Sequence, residues 1–364
     1  MKKNLIIIGG GFAGITLAKK LLKTARDRFS ITLVDKNDYQ LFYPAFFKAL
    51  VSKKNLSEIF NVVAIKFERI FSKSDIKIVK REVKNVFPAQ NKILLKEAGR
   101  NKGQNRLDYD YLVVAAGRET KVPGLTFQSF EDVLRLKERM ENLFKNAEKN
   151  SVIEIVVAGA GATGCGLVGF LSEYACELSV KHKYSKNPAK LKIVDSHDCL
   201  LVGCSGWLQE KVSQSLKKMG VEIVTRTRFD PAKETAPVVV WAVGAEPVRF
   251  FDGEITEHLR LRGQSNVLVL EAVTAQSAIH RAKYISRALM RLLDKKELKP
   301  YGSNKDYNIV ELGEKYAFAD LGFIKLKGRM ARWAHELALV RYLISVMGIS
   351  KAVNWFKKYR GLLL

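Results

Sequence analysis

The chain has 364 residues, and its 62 Lys and Arg against 37 Asp and Glu leave a formal net charge of +25. A chain of that length holds two to three domains at roughly 150 residues each, and a composition 47% hydrophobic and 10% aromatic excludes a disordered or collagen-like polymer. No apolar run reaches the ~20 residues that would span a bilayer, so the surplus positive charge points to nucleic acid, an anionic membrane surface or a lysine-rich background.

The N-terminus, Met1-Lys2-Lys3 followed by Leu5–Ile8, has the outline of a secretory signal. Glycines at 9, 10 and 11 then break the apolar stretch, and a basic helix with Lys19, Lys20 and Lys23 stands where a cleavage site belongs. The segment therefore reads as a buried parallel strand, a glycine turn and a helix over 15–22. The turn is Gly9-x-Gly11-x-x-Gly14, and a second strand over 31–34 ends on Asp35, 21 residues after Gly14. Each part has a mechanical role. Gly9 permits the tight turn, Gly11 lets backbone approach a pyrophosphate, and Gly14 lets the helix pack close to the strand. The helix N-terminus offers free N–H groups to phosphates, and Asp35 suits a ribose hydroxyl pair.

A second copy follows. An apolar strand over 153–158 leads into Gly159-x-Gly161-x-x-Gly164 and an apolar helix, and a strand over 191–194 ends on Asp195. Asp195 lies 31 residues past Gly164 because a polar, basic segment over 181–192 is inserted. An acid at this strand end favours a free ribose hydroxyl over a 2′-phosphate, hence NAD over NADP, although the lysines nearby could accommodate a phosphate. Two such units in one chain imply two dinucleotides face to face, for which the usual chemical reason is hydride transfer from a nicotinamide to a flavin.

At the end of the chain, Met330, Trp333, Leu337, Val340, Ile344 and Met347 recur every three or four residues and so share one helix face. Gly348 breaks that helix, Ser350 is placed to cap a second, and Ile349, Ala352, Val353, Phe356 and Leu363 form its apolar side. Residues 323–364 carry nine Lys or Arg and one Glu, a local charge of 9 − 1 = +8. Apolar faces, tryptophans and surplus cations suit a helix lying in an anionic lipid interface; an ordinary amphipathic helix packed on the core is the alternative.

Several further strings lie between these landmarks. They are Asn37-Asp38-Tyr39-Gln40-Leu41-Phe42-Tyr43-Pro44, then Tyr109-Asp110-Tyr111-Leu112-Val113-Val114-Ala115-Ala116-Gly117, then Val239-Val240-Trp241-Ala242-Val243-Gly244, and Thr274-Ala275-Gln276-Ser277-Ala278. In order and spacing the chain resembles the two-dinucleotide-binding flavoproteins, and among them the type II NADH dehydrogenases (NADH:quinone oxidoreductases), along nearly its whole length. The resemblance implies an α/β fold of two Rossmann-like dinucleotide-binding domains, for FAD and NAD, with a C-terminal amphipathic helical membrane-binding region. It implies an FAD-binding domain in two parts, residues 1–117 and 246–300, an NAD(H)-binding domain over 118–245, and a membrane-associating region over 301–364. FAD would lie on Gly9, Gly11, Gly14, Asp35, Pro44, Ala116 and Gly117; NADH, as substrate, would lie on Gly159, Gly161, Gly164, Asp195 and Gly244. Gln276 and His280 would border flavin and quinone as the catalytic pair. The implied enzyme is a peripheral protein of the cytoplasmic face of the membrane, with a quinone and the anionic membrane surface as partners and a homodimer left open. Neither proton pumping nor a nucleic-acid partner is expected.

Three departures accompany the resemblance. Gly166 stands where the family's second glycine motif carries a glutamate near the nicotinamide. The late Gly-Asp whose aspartate meets the flavin is absent; Glu271-Ala272 follows the strand over 266–270, and Glu271 is expected to reach the same group from one position earlier. His280 replaces the second glutamine of the quinone-side motif and can both hydrogen-bond a carbonyl and give up a proton. These losses keep alternatives open: a non-catalytic interaction protein on a degenerate flavoprotein fold, or a sulfide:quinone oxidoreductase-like enzyme. The four cysteines, Cys165, Cys176, Cys199 and Cys204, read as a reduced, intracellular set. None follows Cys204, where a sulfide enzyme needs a partner thiol, and none lies in the first domain, where a disulfide reductase needs its pair. Cys165 reads as a small buried thiol filling the second glycine loop. No histidine spacing suits a metal, and no metal is expected.

Overall fold

The computed structural model describes residues 1–97, 105–122, 124–148, 150–231, 235–243, 245–302 and 307–363. Two five-stranded parallel sheets organise them. The first runs, in spatial order, Val267–Val269, Tyr111–Val114, Lys3–Ile8, Phe29–Asp35, Lys77–Lys80. The second runs Leu125–Thr126, Val238–Trp241, Ile153–Ala158, Ala189–Val194, Glu222–Val224. The central strands are apolar without alternation because both faces are covered: Leu5, Ile6, Ile7 and Ile8 are all buried. In each sheet the strand opening the glycine turn is followed by a helix, Phe12–Thr24 in the first and Ala162–Lys181 in the second. Both begin directly after the middle glycine, so the first is longer at each end than the 15–22 expected from its apolar positions.

The chain crosses between the sheets twice, and the crossings pair as antiparallel strands, Arg118–Glu119 with Glu246–Pro247. After the second crossing it adds Val267–Val269 to the edge of the first sheet, so that sheet is closed by a segment remote in sequence. A smaller antiparallel sheet, Val83–Phe87, Lys92–Leu95 and Arg106–Asp108, covers one of its faces through Val83, Val86, Ile93 and Leu95.

The segment before the C-terminal helices holds a sheet that the hydrophobic pattern does not announce: Asn308–Leu312, Tyr316–Asp320 and Lys325–Lys327, all antiparallel. It lies hard against the Ala162–Lys181 helix. A Cβ at Gly169 would stand 2.7 Å from Leu312 Cα, and one at Gly166 would stand 3.1 Å from both the Glu311 carbonyl oxygen and the Phe47 ring. The glycine at 166 therefore has a packing reason: a side chain there would press on a strand backbone and an aromatic ring, which would have to give by a few tenths of an ångström.

Two helices end the chain, Arg329–Met347 and Ile349–Gly361, joined at Gly348 with φ +83°. Ser350 lies inside the second helix and caps nothing; Gly348 occupies the cap position without a side-chain hydrogen bond. The first helix has two apolar faces. Ala331, Leu339, Tyr342, Leu343, Val346 and Met347 pack inward, while Met330, Trp333, Leu337 and Ile344 are exposed. Met347 thus belongs to the inner face and not to the outer stripe. In the second helix Ala352, Trp355 and Tyr359 are buried, with Ile349 and Val353 outside. Trp355 is fully buried, its ring centroid 4.7 Å from Phe42, and is core where the sequence reading made it interfacial. No helix among the described residues is long and apolar enough to cross a membrane.

Charged groups are buried within the tail and where it meets the Phe46–Val51 helix. Glu311 Oε1 lies 2.9 Å from His335 Nδ1. The buried Lys48 lies over the Tyr359 ring at 4.1 Å, and Glu336 takes the Arg360 guanidinium at 2.8 Å. Burial alone would raise the Glu311 carboxyl, but His335, Arg332 and Lys48 hold it below the usual carboxylate range. A group with a lowered folded pKa contributes stability that is present above its unfolded value and is lost as pH falls through the folded one. Glu311→Gln is accordingly expected to cost about 3 kcal/mol at pH 7, because it takes the compensating charge from the buried Lys48 and the half-buried Arg332. The difference from the unchanged protein should shrink on acidification below about pH 4. Urea unfolding at a series of pH values measures both.

Candidate functional site

The two glycine turns are built alike, atom for atom. Gly9 and Gly159 hold φ +102° and +109°, a region that favours glycine. A Cβ on Gly9 would stand 2.2 Å from the Ala115 carbonyl oxygen, and one on Gly159 2.7 Å from that of Ala242. Gly14 and Gly164 face their own turns so closely that a Cβ would meet the Gly9 and Gly159 oxygens at 1.9 and 1.8 Å. Gly11 and Gly161 differ from both: a Cβ on either would meet nothing within 4 Å. They open the two helices, and neither helix has a side-chain cap, so its first N–H groups are available to an anion.

The acids complete the pattern. Gly10 N–H donates to Asp35 Oδ2 at 2.7 Å, and Asn37 N–H to Oδ1 at 2.8 Å. In the second copy Ala160 N–H donates to Asp195 Oδ2 at 2.6 Å, and His197 N–H to Oδ1 at 2.9 Å. The two carboxylates titrate in opposite directions. Burial raises the Asp35 carboxyl against the pull of its backbone donors, whereas at Asp195 burial is outweighed by the Ala160 and His197 donors and the carboxyl is lowered.

In each sheet the glycine strand has its own helix-linked partner on one side and a later strand on the other, so the turn sits where the strand order reverses. This is the crevice in which open parallel sheets take ligands, at the carboxyl ends of the strands. Ala116 and Gly117 leave the neighbouring strand at the same edge, with Gly117 at φ +80°. Pro44 lies in the short 3-10 turn Tyr43–Ala45 that precedes the Phe46–Val51 helix. From Gly11 outward an aromatic column begins: Phe12 lies 4.7 Å from Tyr342 and 5.7 Å from Phe42, and Gln40 Nε2 donates to Tyr342 Oη at 2.8 Å. The first tail helix is in this way tied to the residue beside the first glycine turn.

Glu271 follows the Val267–Val269 strand, but its carboxylate is held by Arg249, at 3.0 Å from Nε and 3.4 Å from Nη2. Gln276 and His280 are four residues apart, hence on one face of the Ala275–Leu293 helix, which Thr274 and Ser277 cap reciprocally. Gln276 Oε1 accepts from Tyr307 N–H at 3.3 Å, and Gln276 and His280 are both half-buried. Gly244 lies outside the described residues. Sequence reasoning did not find the Arg249–Glu271 pair, for which it holds no signal, nor the ring of His197 on Asp195, which two-residue spacing could have suggested. Cys165 is fully buried, donates to the Ala160 carbonyl oxygen at 3.3 Å, and has its thiol pushed up by burial, which suits a filler and not a redox nucleophile. All four cysteines are free, and no cluster of metal-binding side chains occurs among the described residues.

Residues 3–254 match the family model described as pyridine nucleotide-disulphide oxidoreductase. The chain belongs to that family. Among curated proteins it is similar to a demethylphylloquinone reductase of Synechocystis, 24% identical over 99% of this chain and 97% of the relative. It is also similar to a type II NADH:quinone oxidoreductase of Staphylococcus aureus, 23% identical over 98% of both. The fold matches NDH2 of Plasmodium falciparum, solved in complex with NADH, with a TM-score of 0.82 over 99% of this chain and 98% of that one at 15% identity. This pyridine nucleotide-disulphide oxidoreductase is therefore a divergent member, an oxidoreductase of a family whose cofactor is FAD and whose electron donor is a nicotinamide dinucleotide. Its residues fit two such groups at the phosphate ends: open glycines, uncapped helix N-termini and an acid at each strand end stand where a pyrophosphate and a ribose need them. At the Glu271 end the fit is of another kind, since a salt-bridged glutamate stands at the edge of the crevice.

Proposed function

We propose that the chain is a peripheral membrane flavoprotein that passes hydride from NADH to FAD and electrons on to a quinone, without pumping protons. The observation that carries this reading is the duplication: two open glycine cradles, each with its acid, in one chain with the family's fold. We assign residues 1–117 and 246–300 to the FAD domain, 118–245 to the NADH domain and 301–364 to membrane association. Gly9, Gly11, Gly14, Asp35, Pro44, Ala116, Gly117 and Glu271 would hold FAD; Gly159, Gly161, Gly164, Asp195 and Gly244 would hold NADH.

When bound, FAD supplies acceptance of a hydride from a nicotinamide and release of electrons to an acceptor. The protein's own part is placement. Backbone N–H groups of the two helix starts meet the pyrophosphates, the acids orient the riboses, and the backbone contacts at Gly14 and Gly164 leave those helices little room to shift. Gln276 and His280, on one helix face beside the first sheet, would hydrogen-bond a quinone carbonyl, and His280 can hold or give the proton that its reduction needs. The exposed stripe of Met330, Trp333, Leu337 and Ile344, with Phe323 and Ile324 also exposed and Lys325, Lys327 and Arg329 adjoining, has the composition of a surface lying in an anionic lipid interface. We place that interface at the cytoplasmic face of the cell membrane.

The test is spectroscopic. The purified protein should carry flavin absorbance bands that bleach on anaerobic addition of NADH and return on addition of a water-soluble quinone. A protein that stays colourless after incubation with excess FAD would overturn this reading and favour the interaction protein.

A further inference from the structure

The two acids that close the dinucleotide turns share their backbone donors and differ in one respect. Each carboxylate oxygen has two lone pairs. At Asp35, Gly10 and Asn37 take one on each oxygen, leaving one on each for the two hydroxyls of a ribose. At Asp195, Ala160 takes one on Oδ2, but Oδ1 receives both the His197 N–H and the His197 ring, whose Nδ1 lies 2.7 Å away. Oδ1 is then saturated, and a ribose arriving at Asp195 finds one free acceptor where the first site offers two. The residue responsible occupies the position that Asn37 holds in the first copy.

We propose that His197 sets the coenzyme specificity of the second site, occupying an acceptor that an unphosphorylated ribose would use and offering a cation to a 2′-phosphate, so that the site takes NADPH as well as NADH. The inference rests on the reading of the second glycine turn as a nicotinamide dinucleotide site. A 2′-phosphorylated ribose brings only its 3′-hydroxyl to the carboxylate, which one free lone pair satisfies, and a dianion that must be met by positive charge. The His197 side chain is 60% exposed, so its far edge is open to such a group. Other charges bear on the ring. Asp195 underlies it; Asp198 and the Cys199 thiol follow on the same turn; Arg226, whose N–H donates to the His197 carbonyl at 2.7 Å, and Arg228 lie exposed on the segment alongside. The arginines support a phosphate, and the Asp195 and Asp198 carboxylates oppose it.

Calorimetric titration of the FAD-saturated protein with ADP-ribose and with its 2′-phosphate tests this without any redox step. The unchanged protein is expected to bind the two within about tenfold of each other. His197→Asn, which copies the first site, should tighten ADP-ribose and weaken the phosphorylated form, moving their ratio by about tenfold or more, and His197→Arg should restore the phosphorylated ligand. An unchanged ratio in His197→Asn, with both ligands still bound, would overturn the inference and leave the dinucleotide site standing. Failure of the unchanged protein to bind either ligand would overturn both.

Discussion

Gly11→Ala is expected to yield a folded protein without flavin, and Gly161→Ala a yellow protein that NADH no longer bleaches. Both glycines have ordinary φ values, −80° and −71°, and a Cβ on either would touch nothing within 4 Å. Folding therefore has little objection to alanine. The cost is a poorer helix cap, about 1 kcal/mol, which lowers the melting temperature by a few degrees at most. The open space is the path by which a pyrophosphate would reach the first helical N–H groups, and a methyl group there keeps it at a distance where those hydrogen bonds fail. Losing two or three charge-assisted hydrogen bonds at about 1.5–3 kcal/mol each weakens the dinucleotide by more than 100-fold. The neighbouring glycines give the contrast. Gly14→Ala and Gly164→Ala would drive a Cβ to 1.9 and 1.8 Å from a carbonyl oxygen, so those variants should fail as folds, recovered mainly in aggregates. Flavin content and melting temperature, measured together on all four, separate a binding surface from a packing requirement. Normal FAD content in Gly11→Ala would sink the assignment of the first cradle.

These expectations were open to the sequence because the chemistry concerned is local. A tight turn, a close helix and an acid at the next strand end are written within some thirty residues, and each demands a particular residue type. The duplication made them more specific. What the sequence could not express were contacts between remote segments. Arg249 reaches Glu271 only because Val267–Val269 returns to the first sheet, and nothing in either neighbourhood announces it. Gly166 reads in the sequence as the loss of a glutamate near the nicotinamide, and its packing against the strand Asn308–Leu312 has no local signal; that strand is short and mixed, and its burial is imposed by the helix it meets. The tail misled for another reason. Amphipathic spacing reports an apolar face without saying whether lipid or protein covers it, and the Arg329–Met347 helix has both kinds of face.

The two tail tryptophans should therefore behave oppositely. Trp355 is fully buried, 4.7 Å from Phe42 and stacked 5.4 Å from Tyr359, so Trp355→Ala removes a large side chain from the contact between the last helix and the Phe42 segment. A loss of about 3–5 kcal/mol is expected, read as a shift of the urea midpoint. Because Phe42 and Phe12 continue this column toward Gly11, weaker flavin retention should accompany it. Trp333 is 64% exposed and Leu337 69% exposed, one turn apart on the outer stripe. Trp333→Glu with Leu337→Glu should leave the midpoint unchanged within about 0.5 kcal/mol, as surface substitutions do. It should remove the apolar insertion on which membrane docking depends. At about 1.5 kcal/mol or more for each side chain withdrawn from the interface, and with two negative charges added beside Lys325, Lys327 and Arg329, binding to vesicles containing anionic lipid should fall by 100-fold or more. The residual binding should vanish at high salt, since only exposed charge would remain to sustain it. Equal sedimentation of variant and parent with anionic vesicles would move the docking surface elsewhere and leave the outer stripe without a role.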